Sequence, residues 1–244
     1  MNDKGLAHWH VRLAGTGLLA RIPKQSQMGL APLDNLAYEA ACFQRAAPCS
    51  HVPRLDRVIA PSAELPWGAL LVEEITGVPA NSPYHVAPIM QALASIHVLP
   101  VPIAGERAPL LSEIDPLAGM LGLVRAQSVY LDHPLISEPS RRAIKERLQN
   151  LSKSIPQACC RLEPRLITFD AHPGNFLITP TGKAVLVDLE KLRYSYPPLD
   201  LAHATLYTST TWDVDASFAL STAQVAHAYE VWMSAAGPIA EPYL

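Results

Sequence analysis

The order of apolar and polar positions separates a strand-rich beginning from a helical remainder. Residues 8–22 read as two strands joined at Gly15-Thr16-Gly17, a β-hairpin. In residues 34–46, Leu36, Ala40 and Phe43 recur at helical spacing, and Asp34 is placed to cap that helix. Residues 48–66 are punctuated by Pro48, Pro53, Pro61 and Pro66, so a loop with one short strand is expected. Trp67 to Gly77 then forms a continuous apolar run ending in Glu73 and Glu74, the pattern of a buried strand with an acidic end. Residues 85–97 carry an apolar helical face at Ile89, Met90, Leu93 and Ile96. Further helices are expected at 113–132, 138–153, 201–209 and 217–235, the last capped by Asp215 or Ser217.

Residues 166–190 interrupt this helical series. Phe176–Ile178 and Ala184–Val187 are short apolar runs separated by Pro180-Thr181-Gly182, which predicts a second hairpin. Asn175 stands just before its first strand and Asp188 just after its second, so both fall at the hairpin's open end. Pro173 and Gly174 let Asp170 return to that same end. Two carboxylates and an amide oxygen there suit a hard cation such as Mg²⁺ carrying phosphates.

Asp170-x-x-x-x-Asn175, a hairpin and Asp188-Leu189-Glu190 resemble the catalytic segment of the aminoglycoside phosphotransferase and choline kinase-like family. That family commonly reads His-Gly-Asp-x-His-Pro-Gly-Asn. The chain keeps Asp170, His172, Pro173, Gly174 and Asn175, and departs at Thr168 and Phe169. Pro197-Pro198-Leu199-Asp200-Leu201-Ala202 is similar to the family's Pro-x-x-Asp-Leu-Ala signature, and Leu93-Ala94-x-x-His97 to a recurrent helix, in which His97 reads as structural.

The resemblance implies an α+β, two-lobed protein-kinase-like fold: a β-rich lobe over residues 1–77 and a larger helical lobe over 78–244. Both ends are short against that template, with Asn2-Asp3-Lys4-Gly5 as the remnant of a phosphate-covering turn. It implies an ATP-dependent phosphotransferase acting on a hydroxyl of a small molecule. Asp170 would accept the hydroxyl proton, Asn175 and Asp188 would hold Mg²⁺, and Asp200 would brace the catalytic loop. The strand through Glu73 and Ile75 would hold adenine of ATP through backbone groups. Arg21 stands where the template has a phosphate-neutralising strand Lys, with Glu39 as its helix partner; otherwise Arg21 ends a strand at the surface and Glu39 is solvated. Glu190 either assists the metal, faces the acceptor, or is a solvated strand-end acid. A kinase-like module that binds nucleotide or a partner without transferring phosphate is the alternative.

Composition narrows this further. The net charge of −3, with 17% charged and 49% apolar residues, gives no basic excess for nucleic acid. No apolar run reaches the length of a membrane span, and no signal-peptide pattern opens the chain. Cys42, Cys49, Cys159 and Cys160 form no CxxC pair. A soluble cytoplasmic protein with reduced thiols is expected. For the acceptor, Asp213, Asp215, Glu230 and Glu241 could suit a polycation, while Tyr207, Trp212, Tyr229 and Trp232 could suit a choline-like cation.

Overall fold

The computed structural model describes residues 7–154, 162–213 and 217–243. Strands β1 (His8–Leu13) and β2 (Leu18–Pro23) form the first hairpin, followed by helix α1 (Pro32–Ala46), β3 (Leu55–Ile59) and β4 (Ala69–Glu73). All pair antiparallel in one sheet of order β1-β2-β4-β3. Gly15 and Gly17 turn the hairpin at positive φ, where a side chain would be strained. Helix α1 covers this sheet, burying Leu36, Tyr38 and Phe43 in a core that includes Leu70 and Val72. It starts earlier than its apolar spacing suggested: Pro32 opens it behind Ala31, and Asp34 lies in the first turn instead of capping it. Pro preset to helical φ explains the early start, and the Asp34 carboxylate there still favours the helix dipole.

The remaining elements are β5 (Val78–Pro79), α2 (Val86–His97), α3 (Pro116–Gln127), α4 (Glu138–Ser154), β6 (Arg165–Ile167), β7 (Phe176–Ile178), β8 (Ala184–Leu186), β9 (Arg193–Ser195), α5 (Pro197–Thr205), α6 (Tyr207–Thr210) and α7 (Thr222–Ala236). The predicted second hairpin is β7-β8, extended by β5, while β6 pairs with β9. This is the expected small antiparallel sheet joined to a larger helical part. Asn2 to Gly5, Cys159, Cys160 and Asp215 lie outside the described residues.

Helix α2 is the axis of the helical part. Ile89, Met90, Leu93 and Ile96 are fully buried, and α2 packs against α7, α5, β8 and β6. Each such side chain removed from water contributes about 1.5–3 kcal/mol. The end of α2 is closed by the buried Arg165 guanidinium, which donates to the carbonyls of His97 and Leu99. His97 also ties α2 to two partners: the Trp232 indole donates to its Nδ1 at 2.9 Å, so the ring proton sits on Nε2 and points to Asp200 at 3.0 Å. Helix α7 is capped by Ser221, in a reciprocal box with Gln224, and not by the upstream Ser217. The Ser-x-x-Gln spacing immediately before the helix decides this start.

Candidate active site

The loop after β6 is held from below by one buried carboxylate. Asp200, in the first turn of α5 and fully buried, accepts the backbone N–H of Thr168 at 2.7 Å and of Phe169 at 2.8 Å, beside His97. It braces the loop as expected. This bonding turns the chain so that Phe169 adopts φ 61°, the left-handed region. A residue with a Cβ pays roughly 1–2 kcal/mol there, which accounts for glycine in the related motif. Phe169 offsets part of that cost: the Arg193 guanidinium lies 3.5 Å from its ring centroid. Thr168, where the related motif has His, is buried with a hydroxyl that meets no partner.

Beyond Phe169 the loop closes on itself. The Asn175 side-chain N–H₂ donates to the Asp170 carbonyl at 2.9 Å, and the Asn175 N–H to the His172 carbonyl at 3.0 Å. Val187 N–H donates to the Asn175 carbonyl, which fixes Asp188 at the same end of the hairpin. With its N–H₂ committed, Asn175 has its side-chain oxygen to offer a cation. Lys191 Nζ donates to Asp170 Oδ2 at 2.7 Å, and His172 Nε2 and His203 Nδ1 each lie 3.9 Å from Oδ1. Burial lowers the His172 pKa, against the opposing pull of Asp170.

The strand cation takes a different partner from the one expected. Arg21, 3% exposed, donates to Asp188 Oδ1 at 2.9 Å and to the Val187 carbonyl at 2.8 Å. Glu39 is instead engaged by His8 Nε2 at 2.9 Å and by the Asn35 amide at 2.6 Å. The expected Arg21–Glu39 pair is therefore replaced, because α1 sets Glu39 beside the buried imidazole of β1. Neither residue is the surface alternative, since both are buried. Burial opposes ionisation of Asp188, yet Arg21, with His8 and Lys191, holds its carboxyl below the ordinary range.

Glu190 is buried too, with Oε2 3.4 Å from His8 Nδ1 and Oε1 unpartnered. Burial, then the neighbouring Asp188 and Glu39, push its carboxyl up to about 8. His8, Glu39 and Glu190 offer ligand atoms within 4.8 Å of one another, but the His8 ring nitrogens already face the two carboxylates from either side.

An open cleft of about 2190 Å³ runs between the first sheet and the Asp170 loop. That exceeds the roughly 300–1,000 Å³ usual for one ligand, so two can lie in it together. Arg21, Glu73, Ile75, Asp170, Asn175 and Asp188 all line it; Glu39 does not. Asn175 and the one-third exposed Asp188 carboxylate present hard oxygen donors to the cleft, a set that fits Mg²⁺. Of the acceptor candidates, Trp212 and Asp213 line the cleft, Trp232 is core, and Glu230 is exposed on α7. The sequence reading passed over His8, Lys191, Arg193 and His203. The only local signal for any of them is Lys191, which directly follows the Asp-Leu-Glu triplet.

Two outcomes follow from this geometry. Because Phe169 sits at positive φ, Phe169→Gly should be more stable than Phe169→Ala by about 1 kcal/mol in denaturant unfolding; the reverse order would contradict the strain. For Glu190, a raised pKa means the folded chain keeps a proton that the unfolded chain has released. The stability this contributes is complete below the ordinary pKa of 4.5 and is lost as pH rises to about 8. In metal-free protein, the melting temperature of Glu190→Gln relative to the parent should therefore climb across that window, whereas parallel curves would refute it.

A model of the phosphotransferase enzyme family, APH, matches residues 5–237. No curated protein matches the chain significantly. Among solved structures it is similar to the GDP and kanamycin complex of APH(2″)-IIIa, at 19% identity over 96% of this chain and 75% of that one, TM-score 0.65. It is also similar to the macrolide 2′-phosphotransferase MphH from Brachybacterium faecium, at 16% identity over 96% and 76%, TM-score 0.64. A choline/ethanolamine kinase family protein from Mesorhizobium loti follows at 19% identity over 94% and 67%, TM-score 0.60. At these identities the structures speak for the kinase-like fold. The family model spans both hairpins, the Asp170 loop and Asp200, and on that match the chain belongs to the phosphotransferase enzyme family.

Proposed function

We propose that the protein is an ATP-dependent kinase of a small hydroxylated molecule. The observation that carries this is the convergence of Asp170, Asn175 and Asp188 at one end of a cleft with room for a nucleotide and an acceptor together. Adenine would lie against Val72 to Ile75, with the phosphates running toward Arg21 and Asp188. Mg²⁺ held by Asn175 and Asp188 would bridge and neutralise the phosphate oxygens. Arg21 would act by orienting the Asp188 carboxylate, given their 2.9 Å pair. Asp170 would orient the acceptor hydroxyl and take up its proton as the γ-phosphoryl group departs. Positioning and charge neutralisation would supply most of the rate.

One observation favours the second reading, nucleotide or partner binding without transfer: Lys191 holds the Asp170 carboxylate at 2.7 Å. The two readings separate on turnover. GDP occupies the solved APH(2″)-IIIa complex, so GTP belongs beside ATP in the assay.

With a phosphorylated acceptor in hand, Asp170→Asn should lower kcat by roughly 10²–10⁴ while nucleotide affinity holds. Asp188→Asn, which keeps a partner for the buried Arg21, should weaken Mg²⁺-dependent nucleotide binding. Full turnover in Asp170→Asn would remove Asp170 from the base role.

A further inference from the structure

The side chains around Asp170 say what kind of acceptor can approach it. Lys191 Nζ sits 2.7 Å from one carboxylate oxygen, and His172 and His203 lie 3.9 Å from the other. Arg193 lies two residues from Lys191, and its guanidinium covers the Phe169 ring next to Asp170. All four line the cleft. Of the other acids lining the cleft, three are paired with arginines, and Asp34 is exposed in the first turn of α1. Glu74 pairs with Arg12 at 2.5 Å, Glu73 with Arg54 at 3.2 Å, and Asp188 with Arg21. Asp213 lies near Gly174 and His172, and Glu113 on the adjoining small cavity faces Arg193. Neither reaches Lys191 in an ion pair. A polycationic acceptor presenting its hydroxyl to Asp170 would bring its ammonium groups against Lys191 and Arg193.

We infer, resting on the phosphotransferase reading above, that the acceptor is a hydroxyl compound carrying an anionic group close to the hydroxyl, held by Lys191 and Arg193. The anion displaces the Asp170 carboxylate as the partner of Lys191, which frees that carboxylate for the incoming hydroxyl. Lys191 thus couples acceptor binding to exposure of the base: it engages the Asp170 carboxylate, and the correct acceptor releases it. Arg193, with its planar guanidinium, is the better fork for a carboxylate or a phosphate monoester. Met120 and Leu123 of α3 line the same cleft as Phe169 and Arg193 and give the acceptor's carbon frame an apolar surface. A carboxylate and a phosphate monoester share this chemistry.

The test is a panel of short polyols and sugars, each offered as neutral compound, carboxylate, phosphate monoester and amine. Nucleotide-diphosphate release is followed with ATP or GTP and Mg²⁺. One of the anionic forms should exceed its neutral parent in kcat/KM by about tenfold or more, and the amine should be the poorest. The carboxylate and phosphate arms identify the source of the anion. Lys191→Met should raise KM for the anionic acceptor about tenfold and erase its advantage, with a smaller change for the neutral parent; Arg193→Lys reads the fork separately. Equal use of neutral and anionic forms, preference for amines, or an anionic preference untouched in both variants would overturn the inference. If nucleotide binds with Mg²⁺ yet no panel member is phosphorylated, the anionic assignment falls. If nucleotide does not bind either, the phosphotransferase reading beneath it falls as well.

Discussion

The structure depends on the buried carboxylate of Asp200. A carboxyl group removed from water is costly unless hydrogen-bond partners replace the lost water. Here two backbone N–H groups and the His97 ring answer it, and His97 is itself fixed by the Trp232 indole. One chain of hydrogen bonds therefore links α7, α2, α5 and the start of the Asp170 loop. Losing any member would leave the others as unpaired buried polar groups. The loop's left-handed residue is the local cost of this brace, and the position of Asp170 is its result.

A second buried network joins the first sheet to the hairpin. Arg21 of β2 reaches Asp188, while His8 of β1 stands between Glu39 of α1 and Glu190. Arg21 and the His8 imidazole thus meet three carboxylates, and the environment splits the acids. Arg21 keeps Asp188 ionised, whereas burial and like charge raise Glu190. Adjacent acids pushed in opposite directions are a mark of functional sites. The arrangement hands Asp188 to the cleft as a ready oxygen donor and sets Glu190 behind it.

The hairpins and helix α2 were legible in the sequence because their signals are local: turn residues between apolar runs, or one apolar face at helical spacing. Asp170, Asn175 and Asp188 were legible as polar residues set within apolar surroundings, and Asp200 through the Pro-x-x-Asp-Leu-Ala signature it resembles. The partners were not. Arg21 and Asp188 stand 167 positions apart and His8 and Glu39 31 apart, so only the packing of the sheet against the hairpin and α1 decides who meets whom. A helix carboxylate and a strand cation looked like natural partners, yet the imidazole of β1 takes the carboxylate. The charge of the acceptor side was hidden for the same reason: Lys191, Arg193 and His203 carry no periodic signature and converge only once β9 and α5 fold against the loop.

The proposed function requires that Asp188 and Asn175 make this cleft a Mg²⁺–nucleotide site. Thermal unfolding of the purified chain with ATP or GTP, with Mg²⁺ or with chelator, tests it most directly. Ligand at about 100 times its dissociation constant adds about 2.7 kcal/mol. For a chain of this size that is a rise of roughly 5–10 °C. That rise is expected with at least one nucleotide, present with Mg²⁺ and absent with chelator. An unchanged melting temperature with both nucleotides at saturating Mg²⁺ would contradict it.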